Sequence, residues 1–264
     1  MLFRSPAYAQ LGWQCLPVAE EATLVLTEWS LSGKRRQDIR TATNRAAREN
    51  VTARWTSWPE LTFAEHAQIR DISEAWVAEK SLPEMEFTLG GADELTDPDV
   101  RIMLATDAQG RIQAVTSWLP LYGQEGVVDG YTLDFMRRRS DAMNGVMEFV
   151  IGSVATQMKE KGLARLSLSG SPLASVPDDD EDSAVLQRLL ARMGELIEPG
   201  YGFRSLLSFK RKFQPRFDSL WLLYPDAAIL PAAAVAVARS YLPNLTLPDA
   251  VRMAGTLRRS SVSP

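Results

Sequence analysis

The chain has 264 residues, of which 45% are hydrophobic and 23% are charged, a composition typical of one large or two small globular domains. The formal net charge of −4 at pH 7 excludes a protein that coats nucleic acid through bulk positive charge. One cysteine and one histidine exclude disulfides, cysteine-based zinc sites and histidine-rich metal sites.

Hydrophobic periodicity predicts alternating strands and helices in the first half of the chain. The predicted elements are a strand over 22–28, a helix over 34–49, a strand over 51–55 and a helix over 59–80. The turn Ser32-Gly33 precedes the first of these helices.

The helix over 34–49 carries a polar stripe beside its apolar face. Its predicted core contacts are Ile39, Ala42 and Ala46. The polar stripe recurs at every fourth residue and comprises Arg36, Arg40, Asn44 and Arg48. It is either a solvated helix face or a set of contacts to phosphate groups.

The second half predicts a compact α/β unit. The predicted elements are strands over 102–106, 112–119, 127–135 and 163–169, helices over 146–158 and 185–197, a strand near 219–223 and a closing helix over 227–238. The apolar run 227–238 is the longest in the chain and is too short to span a bilayer, so we expect a soluble, cytoplasmic protein. Most tryptophans are expected in the core, with Trp118 and Trp221 as candidates for contact with lipid.

Charged residues cluster where the predicted elements end. Three consecutive arginines, Arg137 to Arg139, follow the strand over 127–135. Arginine keeps its charge and needs planar acceptors, so the triplet is either solvated or binds an anion. The run FKRKF at 209–213 predicts a strand with Lys210 and Lys212 on one face.

Several familiar catalytic motifs are absent from the sequence. It has no Walker loop, dinucleotide glycine fingerprint, HExxH or nucleophile elbow. The glycine loop that holds coenzyme A in acetyltransferases is also absent, because 139–145 has the wrong spacing. The remaining charged residues suit positioning and electrostatic catalysis on a substrate that is already activated.

Three stretches of sequence together carry a family resemblance. They are GKRRQDIRTATNRAARE at 33–49, LDFMRRRSDAMNGVMEF at 133–149 and YGFRSLLSFKRKFQP at 201–215. FTLGG at 87–91 and LSLSGSPLA at 166–174 fit the same pattern in the same order. The set, over roughly residues 20–225, resembles the C-terminal catalytic domain of the bacterial phosphatidylglycerol lysyltransferase (multiple peptide resistance factor) family.

The resemblance implies an α/β (α+β) fold of two tandem GNAT-like acyltransferase subdomains, with mixed sheets flanked by helices. They would occupy residues 1–95, expected to be incomplete at the N-terminus, and 96–264 with the C-terminal helix. It further implies transfer of a lysyl or alanyl group from aminoacyl-tRNA to a hydroxyl of phosphatidylglycerol, without a cofactor or a metal. Such a product masks anionic lipid charge and gives resistance to cationic antimicrobial peptides.

The same resemblance implies the partners and the place of action. The partners are aminoacyl-tRNA, phosphatidylglycerol at the membrane surface and a separate membrane flippase protein, because family members commonly carry a flippase domain before this region. The protein would then act peripherally at the inner face of the cell membrane.

By resemblance, Asp134 and Arg137 hold the aminoacyl group, with Asp134 accepting from its α-ammonium. One of Lys210 and Lys212 stabilises the oxyanion or the lipid phosphate. Further substrate contacts are expected from Arg138, Asn144, Glu148, Tyr201 and Phe203. Contacts to tRNA phosphates are expected from Arg36, Arg40 and Arg48.

Each of these roles has a structural alternative. Asp134 can cap the turn or pair with Arg137, and the two lysines can protect a sheet edge. Glu148 can be a helix surface residue, and Asn144 can shape a turn. For the whole chain, the alternatives are transfer to diacylglycerol, a small molecule or a peptide, or a non-catalytic module that binds tRNA or lipid.

Overall fold

A seven-stranded mixed sheet organises the chain in the computed structural model, which describes residues 5–78, 91, 93–172, 203–230, 232, 233 and 236. The strands are β1 Gln14–Val25, β2 Thr52–Thr56, β3 Arg101–Thr106, β4 Ile112–Tyr122, β5 Val128–Arg138, β6 Arg165–Pro172 and β7 Arg216–Tyr224. Their order across the sheet is β2-β3-β4-β5-β6-β1-β7. Among these strands, β5 and β6 pair in parallel and the other neighbours pair antiparallel.

Helices cover both faces of this sheet. They are α1 Ser5–Gln10, α2 Gln37–Arg48, α3 Phe63–Ala78, α4 Val146–Glu160 and α5 Phe203–Arg211. Helices α2 and α4 share one buried cluster with the sheet, and α3 shares a second cluster with its opposite face. The expected class, a mixed α/β sheet flanked by helices, is confirmed.

Helices α2 and α4 approach each other closely because small residues line their contact. Ile39, Ala42 and Ala46 are buried, as predicted. A Cβ atom added at Gly152 would lie 2.7 Å from Ile39 Cγ2, and one at Gly145 would lie 3.0 Å from Ala42 Cβ. The sequence between 144 and 152 therefore fixes how near the two helices come.

The parallel pairing of β5 with β6 is short. It consists of Gly130 with Arg165, Tyr131 with Leu166 and Thr132 with Ser167. Both strands continue beyond these pairs, β6 along β1 and β5 along β4. A split therefore opens between their carboxyl ends, the end of a parallel pair where α/β proteins usually bind ligands.

A β-bulge in β5 lies at the mouth of this split. Leu133 is opposite Trp118 and Met136 is opposite Thr116, so Asp134 and Phe135 together face Ser117. Leu133 packs in the cluster under α2 and α4, whereas Phe135 packs in the cluster under α3. The bulge therefore reverses the in-out alternation of β5 at Asp134.

Two sequence predictions are wrong. The run 209–213 is not a strand, because residues 203–211 form α5 and Lys212 follows its end. The rings of Phe209 and Phe213, four residues apart, pack edge to face with centroids 5.4 Å apart, which is helical spacing. Trp118 is fully buried and its Nε1 donates to Thr116 Oγ1 at 2.8 Å, so it cannot contact lipid.

Other boundaries also differ from expectation. The first long strand runs over Gln14–Val25, and Leu26–Glu28 form a 3₁₀ turn. Strands from both sides of the expected boundary at residue 95 share the one sheet, and the division into two subdomains stays a prediction. The helix predicted over 185–197 lies outside the described residues. Within the described part, no helix is long and apolar enough to cross a membrane.

Replacing Gly130 by Ala should destabilise the fold, since the added Cβ would clash with the Arg165 carbonyl oxygen. That oxygen belongs to the backbone of the parallel pair, so we expect a loss of about 1–3 kcal/mol in the free energy of unfolding, measured by urea denaturation. The control is Gly170→Ala, whose nearest new contact is Leu220 Cδ1 at 3.3 Å on a movable side chain. Equal stability of the two variants would contradict the role of Gly130.

Candidate active site

Polar side chains hold the split between β5 and β6 at the point where the backbone ladder ends. Ser169 in β6 adopts a left-handed backbone with φ of 65°. Its Oγ donates to the carbonyl oxygen of Leu133 in β5. Asp134, the next residue of β5, is half-buried beside this contact. The split is therefore braced by a side chain directly next to a predicted catalytic carboxylate.

Lys210 approaches the split from the end of α5. Its side chain is buried, with 3% of its surface exposed, and Nζ donates to the carbonyl oxygens of Ser169 at 3.0 Å and Gly170 at 2.9 Å. Burial lowers the pKa of Lys210 to about 8, and the negative charge of Glu21 acts in the opposite direction. Lys210 thus places its amine on the β6 side of the split and binds the backbone of β6.

A chain of hydrogen bonds links Ser169, which Lys210 contacts, to Glu21 in β1. Ser167 Oγ donates to Glu21 Oε1 at 2.6 Å and accepts from the backbone N–H of Ser169 at 3.0 Å. Glu21, Ser167 and Ser169 were not among the residues predicted from the sequence. The alternating serines of LSLSGS were the available signal, because residues two apart in a strand share a face.

Arg137 is buried on the α3 side of the sheet. Its guanidinium carbon lies 3.5 Å from the centroid of the Trp76 ring and 4.7 Å from that of Phe135. The Nη1 atom donates to the carbonyl oxygen of Met136 at 3.1 Å. Stacking on two rings fixes a guanidinium group in a defined orientation beside the end of β5.

The other two arginines of the triplet have different surroundings. Arg138 is exposed, and its Nη1 donates to the carbonyl oxygen of Arg139 at 3.0 Å. Arg139 Nε donates to the carbonyl oxygen of Ile112 at 2.8 Å. Within the triplet, Arg137 is therefore buried, Arg138 is exposed and Arg139 is hydrogen-bonded to the backbone of β4.

A second feature is an open groove of about 260 Å³ between α2 and the start of α4. It brings together three predicted site residues, Asn144, Glu148 and Lys212. Lys212 Nζ lies 2.8 Å from Glu148 Oε1. Helix α2 contributes Gln37, Asp38, Thr41, Ala42 and Arg45 to the wall.

The polar stripe of α2 does not line the groove. Arg36 Nη1 donates to the Ser30 carbonyl at 2.9 Å, and its guanidinium carbon lies 4.6 Å from the Trp29 ring centroid. Arg40 Nη1 donates to the carbonyls of Leu31 and Gly33, each at 2.9 Å. These contacts hold the loop over 28–33, whereas Arg48 is exposed. Phosphate binding by the three arginines stays a prediction.

The remaining candidates lie elsewhere. Tyr201 is outside the described residues, and Phe203 is the first residue of α5. His66, the single histidine, stacks on Trp58 with ring centroids 4.2 Å apart. Among the described residues, no three His, Cys, Asp or Glu side chains are placed to hold a metal ion.

Residues 4–224 match the family described as phosphatidylglycerol lysyltransferase, C-terminal. The chain belongs to this family. It is 42% identical to an uncharacterized protein of Corynebacterium glutamicum over 93% of this chain and 31% of that protein. It is 30% identical to the phosphatidylglycerol lysyltransferase of Bacillus subtilis over 82% of this chain and 24% of that protein. The chain thus spans less than a third of either relative.

Two solved structures share the fold of this chain. L-PGS from Bacillus licheniformis superposes with a TM-score of 0.70 at 24% identity, over 89% of this chain and 69% of its own. The C-terminal domain of a putative lysylphosphatidylglycerol synthetase from Agrobacterium fabrum gives a TM-score of 0.70 at 22% identity, over 91% and 70% of the two chains.

In this member of the phosphatidylglycerol lysyltransferase C-terminal family, α5 connects the split with the groove. Lys210, in its last turn, binds β6 at the split. Lys212, two residues later, pairs with Glu148 in the groove. Lys210 and Lys212 therefore contact neighbouring parts of the protein. The prediction that they lie on one face of a strand is wrong.

Lys210 should leave a signature in the pH dependence of stability. Its pKa in the folded chain is about 8, below the ordinary value of 10.5, so between these pH values the unfolded chain binds more protons and the folded state gains stability as pH rises. We expect the unfolding free energy of the unmodified chain minus that of Lys210→Met to rise over this interval and to become flat well below pH 8, where both states are protonated. Urea denaturation at pH 7, 8, 9 and 10 measures it. A difference that stays constant would contradict the buried ammonium.

Proposed function

We propose that this domain transfers an aminoacyl group, lysyl or alanyl, from aminoacyl-tRNA to a hydroxyl of phosphatidylglycerol. The observation that carries the proposal is the family match over residues 4–224. In the split, Asp134 follows Leu133, whose carbonyl oxygen accepts a hydrogen bond from Ser169. Lys210 donates to the carbonyl oxygen of Ser169. The Bacillus subtilis relative is named phosphatidylglycerol lysyltransferase, which supports this lipid as the acceptor.

The proposed reaction is a transesterification. A glycerol hydroxyl oxygen of the lipid attacks the ester carbonyl carbon, and the bond from that carbon to the terminal ribose oxygen of tRNA breaks. The hydroxyl proton passes in net terms to the departing ribose oxygen, so atoms and charge balance. Because the ester is already activated, the protein's task is to orient the two reactants and to stabilise the tetrahedral oxyanion.

The residues at the split suit these tasks. The carboxylate of Asp134 can accept hydrogen bonds from the α-ammonium group of the aminoacyl ester. The Lys210 ammonium supplies positive charge in a nearly dry environment, where charge stabilises an oxyanion more strongly than in water. Arg137, held against Trp76, positions the end of β5 that carries Asp134.

The product would change the charge of the membrane surface. Adding a lysyl group gives phosphatidylglycerol two amines, which turn an anionic headgroup into a cationic one and weaken its attraction for cationic antimicrobial peptides. A lipid acceptor and an intracellular tRNA donor would meet at the inner face of the cell membrane, and a membrane flippase is the partner that would move the product outward.

The direct test supplies the purified chain with radiolabelled lysyl- or alanyl-tRNA and phosphatidylglycerol vesicles, followed by thin-layer separation of the lipids. We expect labelled lipid, and Asp134→Asn should lower kcat/KM by about 10- to 100-fold, because a charge-assisted hydrogen bond contributes about 1.5–3 kcal/mol. Arg54→Ala is the control, since Arg54 pairs with Glu65 from the edge strand β2, which lies three places from β5 in the sheet.

Three outcomes of this test would change the proposal. Product formed with diacylglycerol or a small hydroxyl compound, but not with phosphatidylglycerol, would correct the acceptor. Binding of tRNA or vesicles without turnover would identify a non-catalytic module. Equal rates for Asp134→Asn and the unmodified chain would refute the assignment of the split.

The tRNA contact predicted for α2 can be tested at Arg48, because Arg36 and Arg40 also hold the loop over 28–33. Arg48→Ala should weaken binding of tRNA and reduce the slope of log K against log salt concentration by about one, as expected for one lost phosphate contact. Fluorescence anisotropy at several salt concentrations measures both values. An unchanged slope would assign Arg48 to a solvated face.

A further inference from the structure

Two β-bulges flank the split, one in each of its strands. The bulge of β5 begins at Asp134. In β6, Leu168 and Ser169 both lie between the partners of Glu21 and Thr23, whereas β1 has a single residue between these two. A bulge leaves one residue outside the regular ladder, so its backbone groups need other partners. The shape of the split therefore depends on how the extra residue of β6 is held.

The hydroxyl group of Ser167 holds the bulge of β6. The Ser167 side chain is fully buried, and its Oγ accepts from the backbone N–H of Ser169 at 3.0 Å. The same Oγ donates to Glu21 Oε1 at 2.6 Å. A hydroxyl group has one proton and two lone pairs, so donation to a fixed carboxylate leaves a lone pair for the amide. Glu21 thus orients the hydroxyl group that holds the bulge.

Ser169 carries this arrangement to both sides of the split. Its Oγ donates to the carbonyl oxygen of Leu133, the residue before Asp134. Its own carbonyl oxygen accepts from Lys210 Nζ at 3.0 Å. A shift of this one residue therefore moves the brace to β5 and the anchor of the lysine together. Three hydrogen bonds in series connect Glu21 with Lys210.

Glu21 also acts on Lys210 through its charge. Burial lowers the pKa of Lys210 to about 8, and the carboxylate of Glu21 raises this pKa against the effect of burial. The other charged residues around the lysine are Arg211 and Lys212 on its own segment of chain and Asp134 across the split. At the bulge, β6 presents serines and a glycine. The negative charge that β1 contributes to this environment is therefore that of Glu21.

We propose that Glu21 is a positioning residue of the active site, which fixes the bulge of β6 through Ser167 and supplies negative charge for the Lys210 ammonium. The effect on rate rests on the proposed transfer function, but the coupling between Glu21 and Lys210 can be measured without substrate. The two roles can be separated by substitution. Glutamine keeps an acceptor oxygen for Ser167 and loses the charge, whereas Ser167→Ala loses the hydrogen bonds and keeps the charge.

The experiment without substrate follows the titration of the Lys210 amine by NMR, on the whole chain labelled with carbon-13 at the lysine ε position. The spectrum of Lys210→Met assigns the signal. We expect Glu21→Gln to lower the pKa of Lys210 by at least about half a pH unit, because an opposite charge has been removed. Glu20→Gln is the matched control, since adjacent residues of a strand point to opposite faces. The same Lys210 pKa in Glu21→Gln and in the unmodified chain would overturn the proposal.

The second experiment measures kcat/KM for aminoacyl transfer from pH 6.5 to pH 9. A lysine that acts as a cation supports transfer below its pKa and loses this effect as pH rises through it. Glu21→Gln should therefore lose activity at a lower pH than the unmodified chain, and Glu21→Asp, which keeps the charge, should restore the position of the fall. The titration of the donor's own α-ammonium is common to all variants. A curve for Glu21→Gln that is scaled by a constant factor, without displacement along the pH axis, would contradict the proposed role.

Ser167→Ala tests the geometric role. Because the amide of Ser169 then loses its acceptor, we expect kcat/KM to fall about tenfold while the pH of the fall in activity stays nearly the same. Circular dichroism and thermal unfolding check that the variant is folded. If it is not, Glu21→Ala removes the acceptor of the Ser167 hydroxyl at a half-buried position. Full activity in either folded variant would overturn the role of the bulge.

The results distinguish this inference from the proposed function. If no charged tRNA yields product while Glu21→Gln lowers the pKa of Lys210, the transfer function fails and the coupling between Glu21 and Lys210 stands. If product forms and the variants of Glu21 and Ser167 match the unmodified chain at every pH, the transfer function stands and the positioning role fails.

Discussion

The candidate site depends on the early end of one parallel strand pairing. Strands β5 and β6 are hydrogen-bonded through three residue pairs and then separate, although both continue in the sheet. Two local features accompany the separation: the bulge at Asp134 and Phe135 in β5, and the left-handed backbone of Ser169 in β6. Backbone groups that leave a ladder need other partners. Ser169 and Lys210 supply them at Leu133, Ser169 and Gly170.

The same contacts give the site its electrostatic character. Moving a lysine out of water is unfavourable, and the lowered pKa of Lys210 reflects this cost. The cost is offset by two carbonyl acceptors and by the charge of Glu21, which is tied to β6 through Ser167. A buried amine held in this way needs little rearrangement when negative charge develops nearby, which is the condition for effective electrostatic catalysis.

Helix α5 couples the split to the groove. Its last turn binds β6 through Lys210, and Lys212 then reaches α4 through Glu148. The split and the groove thus share one short segment of chain, with Lys210 and Lys212 two residues apart. Two solved structures that are only 24% and 22% identical to the chain keep this overall fold, each with a TM-score of 0.70.

Clear local periodicity in the sequence was enough to predict the core face of α2, the hairpin of β3 and β4, and the passage from β5 through α4 to β6. The order of the motifs also identified the family, because ordered motifs survive where overall identity is low. FKRKF failed as a strand because the spacing of four between Phe209 and Phe213 fits the period of a helix as well as that of a strand, so the local pattern does not separate the two. Which polar side chains meet depends on the three-dimensional packing of the chain. Glu21 and Ser167 are 146 positions apart, and Glu148 and Lys212 are 64 apart. Such contacts follow from strand order, register and helix packing, which no local pattern encodes.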